Sequence, residues 1–364
     1  MLLRRAASLV AALVTATNLG AAPDERQWHL ESINVSEAQR ASTGDGVTIG
    51  LLTGGLPVAH PDLGDAVLPT VRRAAEDLFG GFEQVGADYP GPDDYATGEL
   101  GLMVAQGGSG LLGVAPGARV QPVICTGLPD DTAACIRWLV DSGADVIDLA
   151  TAPFPRIGND FEGIRYALAH DVVVVAALSE GAQMPRDVTA GVILVGGVDR
   201  NGNLPPNVLP NGRVSIRAPG TGPSVQAGDE IIGLVPGAPG GHGTLRLPDG
   251  DEVAAALVTG VVALVRSKYP ELKGPSVINR ILLTAADRDG PGRDGTYGYG
   301  IVDAAAAVTD DVPEVRANPL GEPGSSGGNS LPVIAVAVGA VILAVAVVTV
   351  VVVVTVLRRR RRVG

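Results

Sequence analysis

The sequence predicts an α/β domain on a mostly parallel central sheet, followed by one C-terminal transmembrane helix. Three observations lead there. From about residue 45 to 310, short aliphatic runs alternate with longer amphipathic ones, the signature of strands and covering helices. Hydrophobic residues make up 46% of the chain and aromatics only 3%, so the core must be aliphatic. Residues 331–357 carry no charge, and Arg358 to Arg362 follow at once.

Taken in order, residues 1–22 read as a signal peptide: Arg4 and Arg5, an apolar run from Ala6 to Ala16, then Gly20, Ala21 and Ala22 at a cleavage site. Residues 23–44 form an N-terminal extension. Within the domain, 45–310, the strands are read at 46–52, 118–124, 146–149, 172–176 and 191–196. They are apolar along their length, as strands buried on both faces must be. Helical spacing appears over 98–106, 131–141 and 159–169. In such sheets ligands bind beyond the carboxyl ends of the strands.

Residues 311–330 are rich in Pro, Gly and Ser and read as a linker. Residues 331–357 are long enough, as a helix, to span a bilayer core of roughly 30 Å. The basic tail, 358–364, marks the cytoplasmic side. The predicted topology is single-pass type I, with the domain outside the cytoplasm.

Charge separates along the same lines. Residues 23–330 keep 20 of the 27 basic side chains and all 39 acidic ones, a net of −19. That excludes a nucleic-acid-binding protein, which needs a basic footprint. The two cysteines, Cys125 and Cys135, permit a disulfide in an exported domain; two buried free thiols are the alternative. No 20–50-residue repeat is read, and no cofactor is expected.

The loops carry a resemblance. Gln27-Trp-His-Leu, Gly44-Asp-Gly-Val-Thr-Ile-Gly-Leu-Leu-Thr-Gly-Gly55 and His60-Pro-Asp-Leu63 resemble the opening of a subtilisin-like serine protease of the S8 family. Gly113-Val-Ala-Pro-Gly-Ala118, Val258-Thr-Gly-Val-Val-Ala-Leu264 and Tyr297-Gly-Tyr-Gly-Ile-Val-Asp-Ala304 continue it in the family's order. With leader, linker and anchor, the architecture is similar to mycosins, the membrane-anchored subtilases of type VII secretion systems. The resemblance implies a three-layer subtilisin-like domain.

It also implies a Ser nucleophile, a His base, an orienting Asp and an oxyanion Asn. In this chain the matching positions hold Glu252 for the Ser, Tyr95 for the His, Thr53 for the Asp and Glu180 for the Asn. A shift of a few residues offers Thr97 or Glu99 in place of Tyr95, and no histidine lies between 61 and 169. Losing a triad costs about a millionfold in rate, of order 8 kcal/mol. His242 mimics the histidine motif but is expected at a hairpin tip. His60 is read as a turn residue, and His29 and His170 lack companions.

The expected function is therefore non-catalytic: a pseudoprotease docked on type VII secretion membrane components. An active endopeptidase would have to use Ser109, Ser179 or Ser224. A peptide-binding decoy would use the groove edge Ala150-Thr-Ala152. Glu99, Glu180 and Glu252, with Asp251 adjacent, are expected to converge near the old cleft, where drift or weak divalent-cation binding could account for them.

Overall fold

The computed structural model describes residues 27–57, 59–74, 81–85, 92–125, 131–150, 161–181, 184–205, 212–220, 230–235, 238, 242–244 and 250–321. In chain order its strands are β1 (Thr48–Thr53), β2 (Leu56–Pro57), β3 (Val71–Arg73), β4 (Phe82–Gln84), β5 (Pro92–Asp93) and β6 (Arg119–Ile124), then β7 (Val146–Asp148), β8 (Val173–Ala177), β9 (Ile193–Val198), β10 (Ile216–Pro219), β11 (Ile232–Leu234) and β12 (His242–Thr244). The helices are α1 (Trp28–Glu31), α2 (Val35–Ala41), α3 (Asp94–Val104), α4 (Asp131–Asp141) and α5 (Glu162–Ala169), then α6 (Leu178–Gly181), α7 (Arg186–Thr189), α8 (Gly250–Lys268), α9 (Gly274–Leu283) and α10 (Ala304–Thr309).

Eight strands form the main sheet in the order β10-β9-β8-β7-β1-β6-β3-β4. Every pairing is parallel except the edge pair β3–β4. Successive side chains along the strands enter different cores, as a pleated sheet requires. Ile49 and Leu51 of β1, Val173 and Val175 of β8, and Ile193 and Val195 of β9 join α3, α8, α9 and α10 in one core. Leu52, Val174 and Leu194 point the other way, onto Ile136, Leu139 and Ile164 of α4 and α5. The result is the three-layer α/β arrangement.

The helix α8 is apolar all round, and its residues from Glu252 to Arg266 are buried. Its first turn presses on the sheet. A Cβ on Gly220 would come within 2.1 Å of the Gly250 carbonyl oxygen, and one on Gly197 within 3.1 Å of it. Only glycine permits that approach.

The chain before β1 is tied into the domain. Gln27 donates to the Leu112 carbonyl at 2.9 Å and accepts from the Leu112 amide at 3.0 Å. Trp28 Nε1 donates to the Glu230 carbonyl at 3.1 Å. His29 is fully buried, and desolvation holds its imidazole down to a pKa of about 3, so it is neutral in the folded protein.

The chain after α10 also lies against the body. The Ser276 hydroxyl donates to the Val315 carbonyl and accepts from its amide, at 3.0 and 2.9 Å. Asn318 donates to the Gly191 carbonyl at 3.0 Å. Residues 311–321, read from composition as linker, are thus strapped to α9 and to the loop before β9.

Cys125, just past β6, is joined to Cys135 of α4 by a disulfide. These described residues belong to one compact unit, Met1–Glu322. The signal peptide read at 1–22, the rest of the linker, the span at 331–357 and the tail at 358–364 lie outside the described residues. Among the described residues no helix is long and apolar enough to cross a membrane.

Candidate functional site

The strands β1, β7, β8 and β9 are covered on one face by α8, along which α3 packs. Thr53 closes β1 and is fully buried. By alternation with Ile49 and Leu51, its side chain faces the α8 core. Its hydroxyl donates to the Gly55 carbonyl at 3.1 Å and accepts from the Gly55 amide at 3.2 Å, closing the turn after the strand. That is a structural use of an oxygen. An orienting group for an imidazole would be an anion, and threonine supplies none.

Tyr95 stands in the first turn of α3 and is 47% exposed, whereas Thr97 and Glu99 on the same helix are fully buried. The histidines are engaged elsewhere. The Nδ1 of His60 accepts from the Asp62 amide at 3.1 Å. His170 packs on Tyr166 with ring centroids 3.9 Å apart. His242 begins β12 and pairs with Leu234 across the β11–β12 ribbon, where the sequence placed a hairpin.

Glu252 lies in the first turn of α8 and is nearly buried. Its neighbour Asp251 does the bonding. One Asp251 oxygen accepts from the Ser179 amide at 3.1 Å, and the other from the Gly197 amide at 2.7 Å. Ser179 precedes Glu180 on α6, directly after β8, and Gly197 lies near the end of β9. One carboxylate thus ties α8 to two strand ends, and brings the Glu180 and Glu252 segments to the same edge. Glu99 sits on α3, which packs along α8.

Two charged groups at this edge escaped the sequence reading. Asp148 ends β7 and is fully buried. Burial raises its pKa to about 6; hydrogen bonds from the Ala150 amide, at 2.7 Å, and from Thr259 on α8 oppose the rise. An acid inside an apolar run was the available signal. Arg217 of β10 is buried as well, and its guanidinium donates to the Thr296 carbonyl at 3.0 and 2.7 Å. Burial lowers its pKa, while Asp251, Tyr297 and Asp294 pull it back up.

Among the described residues, Ser109 is engaged by a carboxylate rather than an imidazole. Ser109 gives its hydroxyl proton to Asp62, whose two carboxylate oxygens also accept from the Ser109 amide at 2.9 and 2.8 Å. A carboxylate there fixes a loop; it does not make the base–nucleophile pair of acyl transfer. Ser224, and Thr151 and Ala152 of the groove edge, lie outside the described residues. Among the described residues no three His, Cys, Asp or Glu side chains are placed to hold a metal ion.

A parallel sheet whose carboxyl edge receives the N-terminus of a buried central helix defines a class, and the comparison bears it out. Residues 44–300 match the Subtilase family (Peptidase S8), and the chain belongs to it. Mycosins are among its matching relatives. Mycosin-1 of Mycobacterium tuberculosis (strain ATCC 25618 / H37Rv) is 27% identical over 86% of this chain and 81% of its own. Fervidolysin of Fervidobacterium pennivorans is 30% identical over 82% of this chain. Its crystal structure, that of a keratinolytic enzyme related to subtilisin, superposes with a TM-score of 0.63 at 27% identity, over 79% of this chain. The chain spans only 46% of fervidolysin's length. A protein in the periplasmic assembly of the ESX-5 inner membrane complex superposes with a TM-score of 0.58 at 25% identity, over 80% of this chain and 86% of that one.

Proposed function

We propose that this chain is a mycosin-like subtilase that works by contact rather than cleavage. It is a non-catalytic component or stabiliser of a type VII secretion membrane complex. It is exported and held by one C-terminal helix, with the basic tail in the cytoplasm. The observation that carries this reading is the acidic first turn of α8. The motif order puts the family's nucleophile at Glu252, and Asp251 beside it already accepts from the Ser179 and Gly197 amides. An oxyanion site needs donors aimed at a developing charge. Here the amide beside the matched oxyanion position, Glu180, is turned onto a fixed carboxylate. Thr53 and Tyr95 at the other two triad positions bring neither a carboxylate nor an imidazole.

Similarity to Mycosin-1 and to a component of the ESX-5 inner membrane complex supports the choice of partner. The test has two readouts on the full chain. A fluorophosphonate probe should leave it unlabelled while labelling an active subtilase. Affinity purification from detergent-solubilised membranes should recover secretion channel components. Labelling at any serine ends the non-catalytic reading, and a solitary protein ends the docking one.

A further inference from the structure

The amino edge of the sheet, remote in the fold from α8's first turn, holds a cavity of about 190 Å³ where β9 and β10 begin. Arg186, Arg213 and Arg293 line it, together with Ser215 and Leu320. Three guanidiniums on one small cavity stand out in a chain of net charge −12. Arg213 donates to the Met184 carbonyl at 2.8 Å and to Thr189 Oγ1 at 2.9 Å, and Arg293 donates to the Gly212 carbonyl at 3.2 Å. Burial first, and then the like charge of Arg186, hold the Arg213 pKa below the usual arginine value. An anion seated between them offsets both.

We infer that this cavity binds a phosphate group. Size favours a small ligand: about 190 Å³ lies below the roughly 300 Å³ where pockets for larger organic ligands begin. Charge and shape narrow the choice. A planar carboxylate is served by one guanidinium fork, whereas a phosphate monoester offers three terminal oxygens and up to about −2 charge. The source is either free phosphate or a lipid headgroup. Leu320 in the cavity wall stands just before the chain leading to the span read at 331–357.

The test uses the full chain. Inorganic phosphate is titrated in detergent against the wild type and Arg186→Gln/Arg293→Gln, both exposed positions, with unfolding temperature as readout. Phosphate should raise the wild-type midpoint, and the double variant should need about tenfold more phosphate or beyond for the same rise. Its midpoint without phosphate should match the wild type, which separates binding from folding. The same pair is then compared in nanodiscs with and without phosphatidic acid. If that lipid stabilises the wild type alone and blunts its response to phosphate, the occupant is a headgroup. If only inorganic phosphate acts, the occupant is soluble. No response in either arm, or equal responses from wild type and variant, overturns the site.

Discussion

The two edges of the central sheet carry opposite charge on one backbone frame. At the carboxyl edge Asp148 and Glu252 are buried, and Asp251, half-buried, is spent on amides from two neighbouring segments. At the amino edge, Arg186, Arg213 and Arg293 ring a cavity of about 190 Å³. The first edge uses charge to close structure; the second leaves a space beside it. Where a carboxylate already accepts from the amides that a ligand would need, the fold gains rigidity and loses a binding surface. By this contrast, changes at the carboxyl edge should act on stability, and changes at the amino edge on ligand response.

The largest expected effect is steric. Gly220→Val drives a side chain into the Gly250 carbonyl and should cost about 3 kcal/mol or more, or abolish folding, in denaturant unfolding. At the amino edge, Gly212→Ala meets no atom of the described residues within 4 Å and carries the strain of a φ of 64°, so it should cost about 1 kcal/mol. Equal losses would break the contrast.

Next comes a gain. The folded-state pKa of Asp148 is raised from 3.8 to about 6, so the folded protein holds that proton longer than the unfolded chain. The penalty is full above pH 6 and disappears as pH falls through 3.8. Asp148→Asn should therefore stabilise by about 3 kcal/mol at pH 8 and by almost nothing at pH 4. A pH-independent effect would mean that the carboxylate is not the cause.

Asp251→Ala removes two acceptors and strands two amides, and should cost about 2 kcal/mol. Asp251→Asn keeps one acceptor oxygen and should recover part of it. The smallest effect is at the strap. Asn318→Ala loses one hydrogen bond to Gly191 and should lower stability by about 1 kcal/mol. The unfolding midpoint checks both.

The parallel sheet was legible because β1, β6, β7, β8 and β9 are continuous aliphatic runs, and burial on both faces leaves little else possible. The strand β10 was not. Its Ile216-Arg-Ala-Pro219 has the arginine of a surface segment, and it reads as a strand only once the Arg217 guanidinium meets the Thr296 carbonyl, 79 residues on. The same holds for the segment 311–321, whose composition suggested a free linker. Its hydrogen bonds to Ser276, Asn279 and Gly191 are tertiary and have no local signal. The residues matched to a catalytic set could be named from motif order, but their burial could not: Tyr95 is half exposed while Thr97 and Glu99, within the same turn, are fully buried.

The sequence by itself determined the family and the layered α/β frame, because apolar periodicity and motif order are local properties of the chain. Motif order also leads to the expectation that Thr53, Tyr95 and Glu252 stand at the matched triad positions. Only the tertiary structure decided what the charges do. A carboxylate's role depends on which donors reach it and how much water is left around it, and both are set by segments far apart in sequence. That is why Asp251 became a tie between α8 and two strand ends, and three scattered arginines came to line one cavity.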